Sequence, residues 1–166
     1  MTKVDRLTRI LALGLGPVLL MIAQHGRVDG IVSSRFVLSI HLERDRLAVG
    51  EPVKLSSTLK NVSRTAREYP ESTDEWDYEF TVTDLNGRAP GMTEHGQWLA
   101  TAERGGSRVI KTLDAGGELH RDFDLGKMFV FAPGRYCVRA TRILFPESGR
   151  VVTRAVSNAV CFDVSK

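Results

Sequence analysis

The chain has 166 residues, 42% hydrophobic and 26% charged, with a formal net charge of +3. That is one ordinary domain, long enough to bury a core. Three of the 23 basic residues and one of the 20 acidic ones fall within the first 23 positions, so the rest is nearly neutral. Its Lys and Arg are dispersed, which argues against a nucleic-acid partner, since counterion release needs them clustered.

The N-terminus has its own layout. "MTKVDRLTR" is basic, "ILALGLGPVLLMIA" (Ile10–Ala23) is apolar or small, and "QHGRVDG" is polar. This is the arrangement of a secretory signal. The apolar run is shorter than the ~20 residues a membrane span needs, and Gly14, Gly16 and Pro17 weaken it as a helix. Met21 precedes a cleavage after Ala23 poorly, and Val28–Gly30 is an alternative. No cysteine follows for lipid attachment, and there is no twin-arginine pair. Residues 1–30 are therefore expected to be a signal peptide or, if uncleaved, a membrane anchor and linker. Residues 31–166 form the exported domain, secreted or periplasmic. If the segment is uncleaved, the membrane is expected to be met only through residues 10–23.

From Arg35 the pattern has period two. "RFVLSIHLE" places Phe36, Leu38, Ile40 and Leu42 on one face and Ser39 and His41 on the other, as in a half-buried strand. Gly50 and Pro52 mark a turn. "VKLSSTLKNVS" alternates again, with Val53, Leu55 and Leu59 inward. A polar loop is expected over 64–75. "WDYEFTVTD" sets Trp76, Tyr78, Phe80 and Val82 on one face and ends at Asn86-Gly87, a dipeptide that tolerates positive φ and signals a hairpin. "RAPGMTEHGQWLATAERGGS" has no sustained period and reads as a long connection. "RVIKTL" and "ELHRDFDL" flank the turn Asp114–Gly117. "GKMFVFAPG" reads as a crossover before two cysteine-bearing strands. No amphipathic helix is expected after residue 30. Seven or eight strands with regular turns make an all-β chain, with a two-sheet antiparallel sandwich as the default.

Cys137 and Cys161 are the two cysteines. In "RYCVRA", Tyr136, Val138 and Ala140 face inward and Cys137 outward. In "NAVCFDV", Val160, Phe162 and Val164 face inward and Cys161 outward. One antiparallel register aligns Cys137 with Cys161, Arg135 with Asp163 and Thr141 with Ser157, and closes the hairpin around Pro146–Gly149. Directly opposed residues can be bridged, and an exported chain with two cysteines joins them more often than not. Free surface thiols are the second reading. A catalytic thiol lacks a neighbouring base, and a metal site lacks ligand spacing. The alternation fails at Arg142, where a bulge or strand end is expected.

"VGEPVKLSSTLKNVS" (49–63), "DYEFTVTDLNGRAP" (77–90), Thr93, Gly96, "LDAGGELHRDFDLGKMF" (113–129), "PGRY" (133–136) and "SN" (157–158) together resemble a family of secreted bacterial Ig-like β-sandwich domains to which no activity is attached. The resemblance spans nearly all of the chain beyond residue 30. Its motifs are structural: turn glycines such as Gly87, the Pro-Gly step at Gly134, and inward aromatics. It implies no substrate, cofactor or catalytic residue. "GRYCV" is also similar to the corner-tyrosine segment of wider immunoglobulin-like folds, with Val138 where an antibody domain has its second cysteine. The similarity implies a core ring for Tyr136 with its hydroxyl on backbone, and makes Cys137–Cys161 an intra-sheet staple.

Few residues suggest chemistry. Glu68, Glu71, Asp74, Glu75, Asp77 and Glu79 are close in sequence but lack calcium-loop spacing, and read as a solvated loop. "DLNG" (84–87) reads as a turn. His25, His41, His95 and His120 are scattered, and no nucleophile elbow, zinc motif or phosphate loop is present. "NVS" at Asn61 matches a glycosylation sequon and, in a bacterial chain, which the resemblance implies, reads as a strand end. No metal or cofactor is expected. The function expected is a non-enzymatic envelope module, binding or structural, with an envelope protein or polysaccharide as partner. Alternatives are a protease-inhibitor-like protein using the 88–106 segment, or a hydrolase whose residues cannot be assembled from the sequence. Trp98, an aromatic in a segment without core period, is expected to dock on the domain or, if the chain is a binding protein, to be the leading anchor of a binding loop.

Overall fold

The computed structural model describes residues 35–102, 108–144 and 153–166. The signal or anchor segment and the hairpin tip at Pro146–Gly149 lie outside the described residues. In chain order the elements are β1 (Phe36–Leu42), β2 (Arg46–Ala48), β3 (Lys54–Asn61), β4 (Arg67–Glu71), α1 (Asp74–Asp77), β5 (Tyr78–Asp84), β6 (Gly91–Met92), α2 (Glu94–Thr101), β7 (Val109–Leu113), β8 (Glu118–Asp124), a 3-10 turn (Leu125–Lys127), β9 (Phe129–Val130), β10 (Gly134–Leu144), β11 (Thr153–Val156) and β12 (Val160–Ser165). The chain is all-β with short helical pieces. There are more strands than the alternation predicts, because several are only two or three residues long.

Two main sheets share one core. In the first, β3 lies between β1 and β8, all antiparallel. In the second, β10 pairs with β5 on one edge and with β11 and β12 in succession on the other, and β12 adds β2 in parallel. The period-two residues meet between them: Leu38, Ile40, Leu55 and Leu59 from one sheet, Val82, Val138, Ala140 and Phe162 from the other. Each such large apolar side chain contributes about 1.5–3 kcal/mol on burial. Phe131 packs edge-on against both Tyr136 and Phe162, with centroids 5.1 and 5.2 Å away. Two small ribbons, β4–β7 and β6–β9, complete the pairing.

Cys137 and Cys161 are disulfide-bonded and stand opposite one another, with Arg135 opposite Asp163. The expected register then slips by one. Thr141 faces Val156, not Ser157. Between Val138↔Val160 and Thr141↔Val156, β10 has two residues and its partner three, so a bulge lies at 157–159. The bulge has a use. Ser157 turns inward, accepts the Ala140 N–H at 2.9 Å and donates to the Asn158 carbonyl. Asn158 turns to the other sheet, donating to the Ile40 carbonyl and accepting the Ile40 N–H. One side-chain amide thus pairs with the edge of β1 as a strand would, and ties the sheets together.

Five further expectations are corrected. β10 neither ends nor bulges at Arg142, which is fully buried within it. The expected polar loop contains β4, with Tyr69, Pro70 and Glu71 buried, because β7 pairs along it. Trp76 belongs to α1 and not to a strand. The unpatterned connection after residue 88 carries helix α2. Asn86-Gly87 does form a turn, with Gly87 at φ +78° and the Asn86 N–H held by Asp84. It is not a hairpin between paired strands, since β6 leaves to join β9.

Candidate functional site

α2 is positioned by local chemistry. Thr93 caps it: its hydroxyl accepts the Gly96 N–H at 3.0 Å and donates to the Lys127 carbonyl, while the Thr93 N–H reaches the Met128 carbonyl. Gly96 lets the helix lie against the chain after the 3-10 turn. A Cβ there would stand 2.0 Å from the Met128 carbonyl oxygen, a distance no side chain tolerates. Thr93 and Gly96 both serve this docking.

Between α2, α1, β5 and the β6–β9 ribbon runs a groove of about 150 Å³. Trp76, Tyr78, Phe80 and Phe129 supply its aromatic walls, Met92 and Met128 its sulfur-bearing ones, and Glu75 and Glu79 its carboxylates. Trp98 lies beside it on α2, half-exposed, with its ring centroid 6.1 Å from that of Trp76. His95 stacks on Trp98 and meets the Glu75 carboxylate at 3.2 Å. Arg154 comes within 3.9 Å of Glu79. The structure therefore joins two stretches that sequence kept apart, the acidic run and the 88–106 segment.

Below the groove runs a seam of buried charge. The Arg142 guanidinium lies 4.9 Å from the Tyr78 ring centre and 5.5 Å from that of Tyr69. Its Nη2 donates to the Pro70 carbonyl at 3.3 Å and meets Asp77 at 3.5 Å, while Nε and Nη1 make no hydrogen bond among the described residues. Asp77 also accepts from the Ser72 N–H and hydroxyl. Glu71 pairs with Lys111 and Arg121. Burial alone would raise the Glu71 pKa, but the Lys111 hydrogen bond and the Arg121 charge prevail and hold it below the ordinary carboxylate range. Glu71 and Asp77 of the acidic run are thus paired with Lys111, Arg121 and Arg142 and are not part of a solvated loop. Among the described residues no group of three or more His, Cys, Asp and Glu could hold a metal ion.

The remaining sequence candidates lie elsewhere. Tyr136 is buried and its hydroxyl donates to the Ala132 carbonyl at 3.1 Å. Asn61 is fully buried; its amide donates to the carbonyls of Thr65, Leu113 and Asp114, and its oxygen accepts from Ser63. It closes a strand end and offers no accessible glycosylation nitrogen. His120 joins Thr58 at 3.0 Å and Glu118 at 3.5 Å, a nucleophile–base–acid order. Thr58 faces His120 across the strands and Glu118 lies two residues away along β8, on an outward sheet face with the His120 side chain 68% exposed. Such a site excludes no water and aims no donors at a developing oxyanion. The 88–106 segment is not a protruding loop where described, since α2 packs on Met128. Sequence signals for α2 existed: Thr93 as N-cap with Glu94 in the first turn. The signal for the seam was Arg142 falling on an inward position.

No family model matches the chain, and no curated protein does. Solved structures give distant likenesses. The alkylpurine DNA glycosylase AlkC of Pseudomonas fluorescens, bound to DNA containing an abasic site analogue, aligns at 15% identity and TM-score 0.40 over 80% of this chain and 31% of its own. A CARDB domain from Pyrococcus furiosus, in complex with di-metal ions, aligns at 12% and 0.38 over 78% and 87%. A β-glucosidase from Listeria innocua, in complex with gluconolactone, aligns at 18% and 0.40 over 79% and 16%. This chain therefore spans about a third of the glycosylase and a sixth of the glucosidase.

Proposed function

We propose that this chain is an exported, non-enzymatic module of the bacterial envelope, an Ig-like two-sheet sandwich that binds a macromolecular partner through the groove beside α2. The observation that carries the binding role is the Trp76–Trp98 pair at that groove. Trp76 lines the cleft and Trp98 stands half-open beside it, and a large aromatic so placed is the residue type that anchors interfaces. The disulfide supports export, because such bonds persist in oxidising compartments. The basic and apolar layout of residues 1–23 supports it independently.

The test is site-specific photocrosslinking in the producing cell, with a benzophenone amino acid at exposed Gln97 on α2. A discrete adduct in the envelope fraction, lost in Trp98→Ala, is expected. A protein found in the cytoplasm with both thiols open to alkylation overturns export. An adduct unchanged by Trp98→Ala overturns the groove as the binding site.

A further inference from the structure

We infer that β7 pairs edge to edge with the β7 of a second copy of this chain, joining two β4–β7 ribbons into one four-stranded antiparallel sheet. The contact is separate from the groove. It follows first from the backbone. β7 pairs with β4 from Arg67↔Leu113 to Glu71↔Val109, and the ladder runs past Pro70, which faces Ile110. Proline has no N–H, and the Pro70 carbonyl is turned to Arg142. Pro70↔Ile110 is therefore a non-hydrogen-bonded pair. The alternation of an antiparallel ladder then points the N–H and C=O of Ile110 and Thr112 away from β4. Among the described residues no other strand pairs with β7, and no backbone group bonds to theirs. An extended polypeptide is the partner whose donors and acceptors repeat at that spacing. The edge of β1 differs, because the Asn158 amide occupies it at Ile40.

The side chains favour a second copy as that polypeptide. Val109 and Ile110 are 59% and 57% exposed, on opposite faces of β7. Lys on an edge strand ordinarily repels another strand, but Lys111 is drawn back to Glu71 of β4. The ladder parity pairs even positions with even ones. A two-fold axis at Ile110 sets Ile110 against the partner's Ile110 and Val109 against the partner's Lys111, with no like charges face to face. An axis at Lys111 would oppose two ammonium groups. The outer side of β4 gives its Pro70 carbonyl to Arg142, so the ribbon brings β7 as its open edge and the contact closes as a dimer. A two-stranded ribbon is marginal alone and gains from becoming four-stranded. A five-residue edge buries less than the roughly 1,200 Å² of a stable complex. The dimer is therefore weak and reversible, with Kd on the order of 100 µM.

The experiment is sedimentation equilibrium of the full chain up to about 1 mM. A monomer–dimer equilibrium is expected. Ile110→Pro removes an N–H that β4 does not use, and Ile110→Lys sets two cations at the axis. Each should weaken the dimer about tenfold or more. Ile110 is exposed, so Ile110→Lys should leave the unfolding midpoint unchanged. Ile110→Cys should form a disulfide-linked dimer in air. Thr112→Cys, which faces Arg108 in this register, should form about fivefold less. A chain that stays monomeric at about 1 mM overturns the inference. A dimer that Ile110→Lys leaves intact also overturns it, since that contact, one through Ile10–Ala23 included, lies elsewhere. A Thr112→Cys crosslink stronger than the Ile110→Cys one overturns the register on which the inference stands.

Discussion

The two-sheet body and the groove side of this molecule are held together by different forces. The body is apolar: leucines, valines and aromatics interlock between sheets, and a disulfide and one asparagine pin its edges. The groove side is ionic and sterically tight. Arg142–Asp77 and Glu71 with Lys111 and Arg121 hold β4 and α1 to the body, and a missing Cβ at Gly96 lets α2 dock. Apolar packing tolerates small errors of shape. A buried charge left without its partner does not tolerate such errors. The molecule thus places its least forgiving contacts under the surface it leaves open.

The largest loss of stability is expected at Arg142. Arg142→Ala leaves Asp77 buried and uncompensated and opens a void under two tyrosines, and should cost about 4 kcal/mol in denaturant unfolding. Arg142→Met combined with Asp77→Asn should recover most of it. A single variant as stable as the parent would show that the seam bears no weight. Next comes Gly96→Ala, which drives a methyl group into the Met128 carbonyl. A cost of about 3 kcal/mol is expected, with a change in the fluorescence of Trp98 as α2 lifts, while Cys137–Cys161 stays closed.

On the body side, Cys137→Ser with Cys161→Ser opens a loop of sequence separation 24. The loss should be about 2 kcal/mol, with the groove fluorescence unchanged. Mass spectrometry with and without reductant reads the bond itself. Acid sharpens the contrast further. Glu71 has its pKa lowered in the folded state, so its contribution is fully present above the unfolded value of about 4.3. It is lost as pH falls from there through the folded value. Unfolding midpoints measured from pH 6 downward should fall in that window, and Glu71→Gln should flatten the fall. The smallest effect is expected at Trp98. Half-exposed, with ring contacts only to His95 and Trp76 among the described residues, it should cost about 1 kcal/mol or less on replacement by alanine. A Trp98→Ala chain that unfolds would make this residue part of the core and not of a binding surface.

Sequence reading succeeded where one physical rule acted alone. Alternation is a property of the extended backbone, so it assigns Phe36, Leu38, Ile40, Leu55, Val138 and Phe162 to the core by itself, and the Cys137–Cys161 register follows from parity and charge. It failed where two rules competed. β4 reads as a loop because its composition is polar, yet Glu71 is buried by Lys111 of β7 and Arg121 of β8, both remote in sequence. α2 is too short for its period to show, so only its cap betrayed it. The Ser157 slip follows from a bulge whose reason, Asn158 meeting Ile40, lies in the other sheet.

The chain alone therefore determined what local periodicity and pairing chemistry can specify: strands, inward faces, turns and the parity of two cysteines. Tertiary structure decided the rest. It brought Glu75, Trp76, His95 and Trp98 together, buried Arg142 against Tyr69 and Tyr78, and left a groove of about 150 Å³ beside α2. Side-chain period is set by neighbours along the chain, whereas a buried charge or an open cleft is set by whatever the fold carries across to it.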